Sequence, residues 1–390
     1  MVDVAVIGVG QTCYGMFPQK SLKDLFHDAA VDALKDVDKG LDPMEVEEAY
    51  IGSLSTGGAQ LGNFAPLMLE ASGMIGASAR HIENACASSG FAMRDAVAAI
   101  ASGRTKIAVA GGVEKMSDLP REKNRLWLGI SGDVEWERLA GTNFAGIYAM
   151  MARRHMYEFG TKKKQITMAA VKNRANALAN PKAQFRIPID LERAMNAPNL
   201  ASPLSFSDSC GITDGASVII LCRADMASNF TKEPVLVVGS GGASDYVAIH
   251  DRPSMTTLEG TRRAAKQAYN MAGISPKNID FAEVHDCFAI AELLACEDLG
   301  LCDKGDAGKF ILSGATARDG ICPVNNSGGL IAKGHPIGAT GTGQIYEVVN
   351  QLRGRADTKE RQLTNVHYGL TQNVGGSGAA VAVHILKAVG

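Results

Sequence analysis

Val4-Ala5-Val6-Ile7-Gly8-Val9-Gly10 near the start of the chain has a near-copy far downstream in Val235-Leu236-Val237-Val238-Gly239-Ser240-Gly241. Both are apolar, valine-rich runs that end on glycine-x-glycine, which reads as a buried strand entering a glycine turn. The segments after the two copies are also alike. Residues 21–34 carry Leu22, Leu25, Phe26, Ala29, Ala30 and Leu34 at helical spacing, and residues 257–272 carry Leu258, Ala264, Ala265, Ala268 and Met271 in the same manner. Leu41-Asp42-Pro43-Met44-Glu45-Val46 and Ile274-Ser275-Pro276-Lys277-Asn278-Ile279 then lead through a proline into further strands at 49–52 and 281–284. A strand at 107–112 is matched with one at 379–384. Strand-helix alternation repeated in two halves predicts a duplicated α/β unit, its mainly parallel sheets covered by helices and its units packed back to back. The halves are placed at 1–230 and 231–390.

At 390 residues, 46% hydrophobic and 21% charged, the chain has ample apolar material for such cores, and its net charge of -2 supplies no broad attraction to nucleic acid or to an anionic membrane. Eight cysteines are scattered without a Cys-x-x-Cys pair or zinc-ligand spacing, which argues against a disulfide framework and a structural metal and for a reducing compartment. The first residues read as a strand rather than a leader, no apolar run approaches membrane-spanning length, and Lys387-Ala388-Val389-Gly390 is not a peroxisomal address, so a soluble cytoplasmic protein is expected. Residues 117–202 break the repeat with Arg- and Lys-rich helices at 147–158 and 166–178, read as an inserted cap over the active site. Its cations are candidates for a phosphate-bearing substrate, although Lys162, Lys163 and Lys164 are assigned to a solvated face.

Three stretches carry chemistry: Glu83-Asn84-Ala85-Cys86-Ala87-Ser88-Ser89-Gly90, His285-Asp286-Cys287-Phe288, and Gly334-His335-Pro336-Ile337-Gly338-Ala339-Thr340-Gly341. A cysteine opening a helix meets the needs of a nucleophile, because the helix N-terminus favours thiolate and its free N–H groups can cradle an oxyanion. A histidine between glycines supplies a base, and Cys287 a second acid/base or simply a packed thiol at a strand end. Cys222, Cys13, Cys296 and Cys302 read as small core residues, and His27, His81, His155, His250, His367 and His384 as structural or surface groups. Gly8-Val9-Gly10-Gln11-Thr12-Cys13 begins like a dinucleotide-binding loop, but Cys13 stands at the third glycine position and no strong acidic follower is evident.

On these motifs the chain resembles the thiolases over essentially its whole length, and within them the sterol-carrier-protein-type and archaeal branch. Cys86 looks like the family's acyl-accepting cysteine, and Gly334-His335-Pro336 like its GHP histidine. His285-Asp286-Cys287-Phe288 stands where the best-known thiolases carry Asn-Glu-Ala-Phe, and Asn373-Val374-Gly375-Gly376 where they keep a second catalytic cysteine, so Cys287 looks like the relocated acid/base. The resemblance implies a duplicated thiolase fold with two mainly parallel or mixed sheets in a five-layer α-β-α-β-α arrangement. It implies attack by Cys86 on a 3-oxoacyl-CoA with His335 as base, and enolate protonation by Cys287. The enolate oxygen would be held by His285 and His335, and the tetrahedral oxyanion by the N–H groups of Cys86 and Gly375. Ser209, Cys210 and Gly211 fall in the family's CoA-lining loop. No metal and no permanently bound cofactor is implied; CoA and acyl-CoA come as substrates.

Acetoacetyl-CoA and acetyl-CoA are the implied default pair, and a bulky aryl or dicarboxylic 3-oxoacyl-CoA of the benzoylsuccinyl-CoA type is the alternative. Residues 53–66 and 143–151 are expected to shape the acyl pocket. A non-catalytic acyl-CoA or lipid carrier is a second class, and a ketoacyl synthase a third, but a carrier has no need of Cys86, His285, Cys287 and His335 together. The resemblance also implies a homodimer or homotetramer with strand 107–112 near the interface. Its implied partners are a small zinc-ribbon and OB-fold acyl-CoA-binding protein and, in biosynthesis, 3-hydroxy-3-methylglutaryl-CoA synthase.

Overall fold

The computed structural model describes residues 2–389; Met1 and Gly390, the two terminal residues, lie outside them. Its strands are β1 Val4–Gln11, β2 Glu48–Gly52, β3 Ser78–Ile82, β4 Ile107–Glu114, β5 Asn199–Ala201, β6 Leu204–Ser205, β7 Gly215–Arg223, β8 Val235–Ser244, β9 Phe281–Val284, β10 Tyr368–Gly375 and β11 Ala380–Ala388. Its helices are α1 Leu22–Lys35, α2 Phe64–Ser72, α3 Ser88–Ala101, α4 Arg121–Gly129, α5 Phe144–Phe159, α6 Lys163–Ala177, α7 Leu191–Met195, α8 Glu259–Ala272, α9 Ala289–Asp298, α10 Ala307–Leu312, α11 Gly329–Ala332 and α12 Thr340–Leu352. Among the described residues no helix is long and apolar enough to cross a membrane.

Nine strands form one mixed sheet in the order β3-β2-β4-β7-β1-β8-β11-β10-β9, and β5 pairs with β6 alone. The halves meet where β1 pairs briefly with β8, Ala5 opposite Leu236 and Val6 opposite Val235. Outward from that seam the order is nearly a mirror: β7 answers β11, β4 answers β10 and β2 answers β9. The counterpart of the 107–112 strand is therefore β10 rather than the 379–384 stretch, which belongs to the strand antiparallel to its neighbours in both halves. β4 also lies inside the sheet, between β2 and β7, and the outer edge on that side is β3.

Strand alternation sends successive side chains to opposite faces and so builds layers. Ala5 and Ile7 of β1 pack with Phe26 and Ala30 of α1 and Met68 of α2. Val4, Val6 and Val9 face the other way, onto Met93 and Ala96 of α3 and Val348 of α12, which Val235 and Val237 of β8 also reach. Beyond the second half of the sheet, Val381, Val383 and Ile385 of β11 meet Ala264 of α8 and Leu294 of α9. Five layers result, with α3 and α12 in the middle, although the two half-sheets are continuous rather than separate.

The glycines of the 4–10 and 235–241 stretches are strand residues and not turns, because β1 runs on to Gln11 and β8 to Ser244. Their lack of a side chain lets a helix backbone settle on the strand: a Cβ at Gly10 would stand 2.1 Å from the carbonyl of Ala29 in α1, and one at Gly241 2.0 Å from that of Ala264 in α8. Cys13, beyond the end of β1, is exposed and not a core residue; Cys302 is half-buried, while Cys222 and Cys296 are buried. Helices α5 and α6 from the 117–202 segment join the second half's core through Ile147, Met151, Ile166 and Ala170. One of their cations, Lys172, is spent internally on Glu292 at 2.9 Å.

Candidate active site

Cys86 stands two residues ahead of α3, after Ala85, whose φ of 49° is a conformation that L-residues with a Cβ rarely adopt. The turn is held by its neighbours. Ala85 donates its N–H to Glu83 Oε1 at 2.7 Å, and Ser88 Oγ accepts from Asn84 N at 3.0 Å while donating to the Ala85 carbonyl at 2.6 Å. The N–H groups of Gly376 and of Cys86 itself are directed at the sulfur. The family resemblance assigns a different role, donation to the tetrahedral oxyanion, to the preceding residue, Gly375, which abuts the Asn84 carbonyl, 2.3 Å from where its Cβ would be. Leu54, Met116 and Ile337 pack around Cys86.

His335 lies in the loop leading into α12. Thr340 Oγ1 donates to the Pro336 carbonyl at 2.9 Å and sits 2.7 Å from His335 Nδ1, so it accepts the Nδ1 proton and leaves Nε2 bare as an acceptor. The buried carboxylate of Glu114 clamps this loop to the end of β4, accepting from the backbone N–H groups of Leu54 at 2.9 Å, Thr56 at 2.8 Å and Gly338 at 3.0 Å.

His285, Asp286 and Cys287 leave the end of β9 just before α9. His285 donates its N–H to Gln372 Oε1 at 3.0 Å, and its Nδ1 lies 3.3 Å from Asn373 Nδ2. Asp286 is fully buried, accepting from Leu330 N at 2.6 Å and Asn173 Nδ2 at 2.7 Å, and burial raises its carboxyl to about 7. Asn173 also donates to Glu292 Oε2 at 2.7 Å, which ties the turn to α6 and α9. Cys287 is close enough to Cys86 and Cys210 to sense their charge, and the Tyr148 hydroxyl lies against its thiol. Tyr148 stacks on Phe288 with ring centroids 4.8 Å apart and donates to the Gly376 carbonyl at 3.3 Å. The Ser209–Gly211 loop lies against the same turn: Ser209 pairs with Phe288, and Cys210 donates its N–H to the Cys287 carbonyl at 3.0 Å.

Sequence positions some two hundred residues apart thus converge. The Cys86 sulfur and one ring nitrogen each of His285 and His335 lie within 4.8 Å of one another, and the two rings meet edge-on with centroids 5.0 Å apart. Burial decides their charges. It pushes the Cys86 thiol up to about 12, against the smaller opposing pull of the Gly376 N–H, and holds His335 down at about 3. The Cys287 thiol is likewise held well above, and His285 well below, the usual range. Thiol and imidazole therefore rest as a neutral pair, not as the thiolate expected from the helix start, because desolvation outweighs the helix terminus.

Asn373, Thr340 and Glu114 do not stand out in the sequence as site residues, and Tyr148 is covered only by the 143–151 stretch expected at the acyl pocket. Thr340 lies five residues after His335 in the glycine-bracketed motif, but only the loop's path reveals that it fixes the ring. Asn373 stands where a cysteine is missing, so in the sequence it marks an absence and not a residue with a task.

Residues 1–201 match the thiolase N-terminal domain family, and residues 241–388 match the family described as thiolase C-terminal domain-like. This chain belongs to the thiolase family. It is 44% identical over 388 residues to an acetyl-CoA acetyltransferase of Methanothermobacter thermautotrophicus, covering 99% of this thiolase and 100% of the relative. It is 36% identical over 357 residues to benzoylsuccinyl-CoA thiolase subunit BbsB of Thauera aromatica, covering 90% and 89%. Among solved structures, one titled "Ltp2-ChsH2(DUF35) aldolase" superposes with a TM-score of 0.87 at 24% identity, over 99% of this chain and 98% of that one, a likeness of fold. As a member of its family, the thiolase is an acyltransferase.

Proposed function

We propose that this thiolase interconverts acetoacetyl-CoA plus CoA with two molecules of acetyl-CoA through an acyl group carried on Cys86. The convergence of one thiol and two imidazoles within 4.8 Å carries the reading. In the cleaving direction, the Cys86 proton passes to the bare Nε2 of His335 as sulfur bonds to the 3-keto carbon. The bond between carbons 2 and 3 then breaks, its electrons forming the enolate of acetyl-CoA, and the Cys287 thiol protonates that enolate. CoA thiol next gives its proton to the Cys287 thiolate and displaces the acetyl group, and Cys86 recovers its proton from His335. Every proton is returned.

The two negative oxygens have separate donors. The tetrahedral oxyanion sits between the N–H groups of Cys86 and Gly375, and the enolate oxygen meets His285 and protonated His335; each such donor is worth on the order of 3 kcal/mol of barrier. Ser209, Cys210 and Gly211 line the approach of the pantetheine arm, and CoA enters only as substrate. Leu54, Met116 and Ile337 crowd the carbon attached to sulfur and Tyr148 closes in from the Cys287 side, which favours a small acyl group over an aryl one. Identity to an archaeal acetyl-CoA acetyltransferase supports the same choice, while the benzoylsuccinyl-CoA relative and the DUF35-containing neighbour support a small acyl-CoA-binding partner and keep a bulky dicarboxylic substrate as the second reading.

The test is steady-state thiolysis of acetoacetyl-CoA and benzoylsuccinyl-CoA by the pure protein, with and without Cys86→Ala. The proposal expects a higher kcat/KM on acetoacetyl-CoA and none measurable in the variant. A preference for the aryl ester would transfer the assignment to the second reading, and stoichiometric binding without turnover would make the protein a carrier.

A further inference from the structure

We propose that Asn373 is a positioning residue that fixes the tautomer of His285, so that the two imidazoles of the site face the substrate with opposite polarity, one a standing donor and the other a standing acceptor. The inference rests on the reading of His285 as a donor to the enolate oxygen. Its basis is a closed count of hydrogens. The Asn373 amide cannot be flipped, because Oδ1 accepts from Gly90 N at 3.2 Å while Nδ2 donates to the Cys86 carbonyl at 3.0 Å. An amide nitrogen carries two hydrogens, and the second lies on the side of His285 Nδ1, 3.3 Å away. Nδ1 must therefore be bare. The single proton of this fully buried neutral ring is on Nε2, which is buried and has no hydrogen-bond partner among the described residues.

An unpartnered buried N–H, on a ring that brings one of its nitrogens within 4.8 Å of the Cys86 sulfur, is costly unless a ligand oxygen comes to meet it. His335 is held the other way round, with Nδ1–H on Thr340 and Nε2 bare. Two histidines of like chemistry in one hollow could exchange duties, and their opposite anchoring removes that ambiguity: the thiol proton has one acceptor and the substrate oxygen one ready donor. The Nε2 proton also denies that nitrogen to a metal ion, which needs its lone pair. Asn373 gains a further effect from its place on β10, since the same amide holds the Cys86 carbonyl and thereby couples the nucleophile's backbone to the donor's ring.

The experiment is long-range proton–nitrogen correlation on the full-length protein labelled with nitrogen-15 histidine, the His285 signals being assigned by their loss in His285→Asn, together with thiolysis kinetics. The wild type should show His285 protonated at Nε2 and bare at Nδ1. Asn373→Asp, whose carboxylate can only accept, should move the proton to Nδ1 and lower kcat by about a hundredfold, the scale of a lost oxyanion donor, with little change in KM. Asn373→Ala, a second variant should the aspartate not fold, should leave a mixture of tautomers. Nδ1 protonation in the wild type, an unchanged pattern in the variants, or full kcat despite a reversed tautomer would each overturn the proposal. The nitrogen pattern is read without substrate, so an inactive wild type with the expected tautomer would count against the acetoacetyl-CoA assignment and not against Asn373's hold on the ring.

Discussion

Cys86 and His335 meet uncharged because both are buried, and that fixes how the site responds to pH. With the thiol pushed up to about 12, the thiolate fraction falls tenfold for each unit below that value. Alkylation of Cys86 by iodoacetamide should therefore accelerate throughout the neutral and alkaline range, and a plateau beginning near neutrality would show a preformed thiolate–imidazolium pair instead. Tyr148 supports a second prediction at this scale: Tyr148→Ala should raise kcat/KM for longer 3-oxoacyl-CoA esters relative to acetoacetyl-CoA by roughly tenfold, the worth of one or two methylenes of room. An unchanged ratio would remove Tyr148 from the acyl pocket. Cys86, His285, Cys287 and His335 are legible in the sequence because each sits in a short local motif. Asn373 is not, because an asparagine in a strand acquires its task only when β10 is brought to the site; the 143–151 stretch is legible as pocket wall, but the contact of Tyr148 with Cys287 is not, since it depends on where α5 is brought.

Elements carry the site through very close contacts. The middle-layer helices α3 and α12 cross so tightly that a Cβ at Gly341 would lie 2.3 Å from the Gly90 nitrogen, backbone that cannot give way. Gly341→Ala should lower stability by about 3 kcal/mol, read from urea unfolding, and a cost near zero would mean that the crossing is loose enough to admit a methyl group. His384 of β11 spans the same layer, its Nε2 3.0 Å from the Gly90 carbonyl, and burial holds it down at about 4. Between that value and the ordinary 6.5, the unfolded chain takes up a proton that the folded one refuses, so stability is lost as pH falls through this window, by about 3 kcal/mol from this residue. His384→Gln should flatten the acid side of the stability curve; an unaltered slope would contradict its neutral burial. The apolar periodicity of the strands and helices is readable in the sequence, but the use of their glycines is not. A strand ending on glycine-x-glycine looks the same whether the chain turns or a helix backbone lies across it, and only the contacts with α1 and α8 separate the two.

For the whole molecule, duplication is legible because both halves bury the same strand-helix pattern, yet the equivalence of the last strands is not. β11 is the more apolar strand and looks more like β4, whereas β10 carries Thr371, Gln372 and Asn373; what makes β10 the counterpart is its direction, which sequence does not record. The sheet's order also leaves an edge open to a second copy: among the described residues β3 pairs with β2 alone, and an antiparallel strand of another chain could extend it. Light scattering should give a dimer or a dimer of dimers, and a monomer at micromolar concentration would refute an assembly built on that edge. A joining of halves through the middle layer also explains why Cys86 from the first half and His335 from the second are held so firmly together. The most direct test of that union is mass spectrometry of the protein quenched after mixing with acetoacetyl-CoA in the absence of free CoA. An acetyl group on the peptide containing Cys86, lost again when CoA is added and absent in His335→Ala, is the predicted result; acetylation elsewhere, or release of acetyl-CoA with Cys86 never modified, would contradict it.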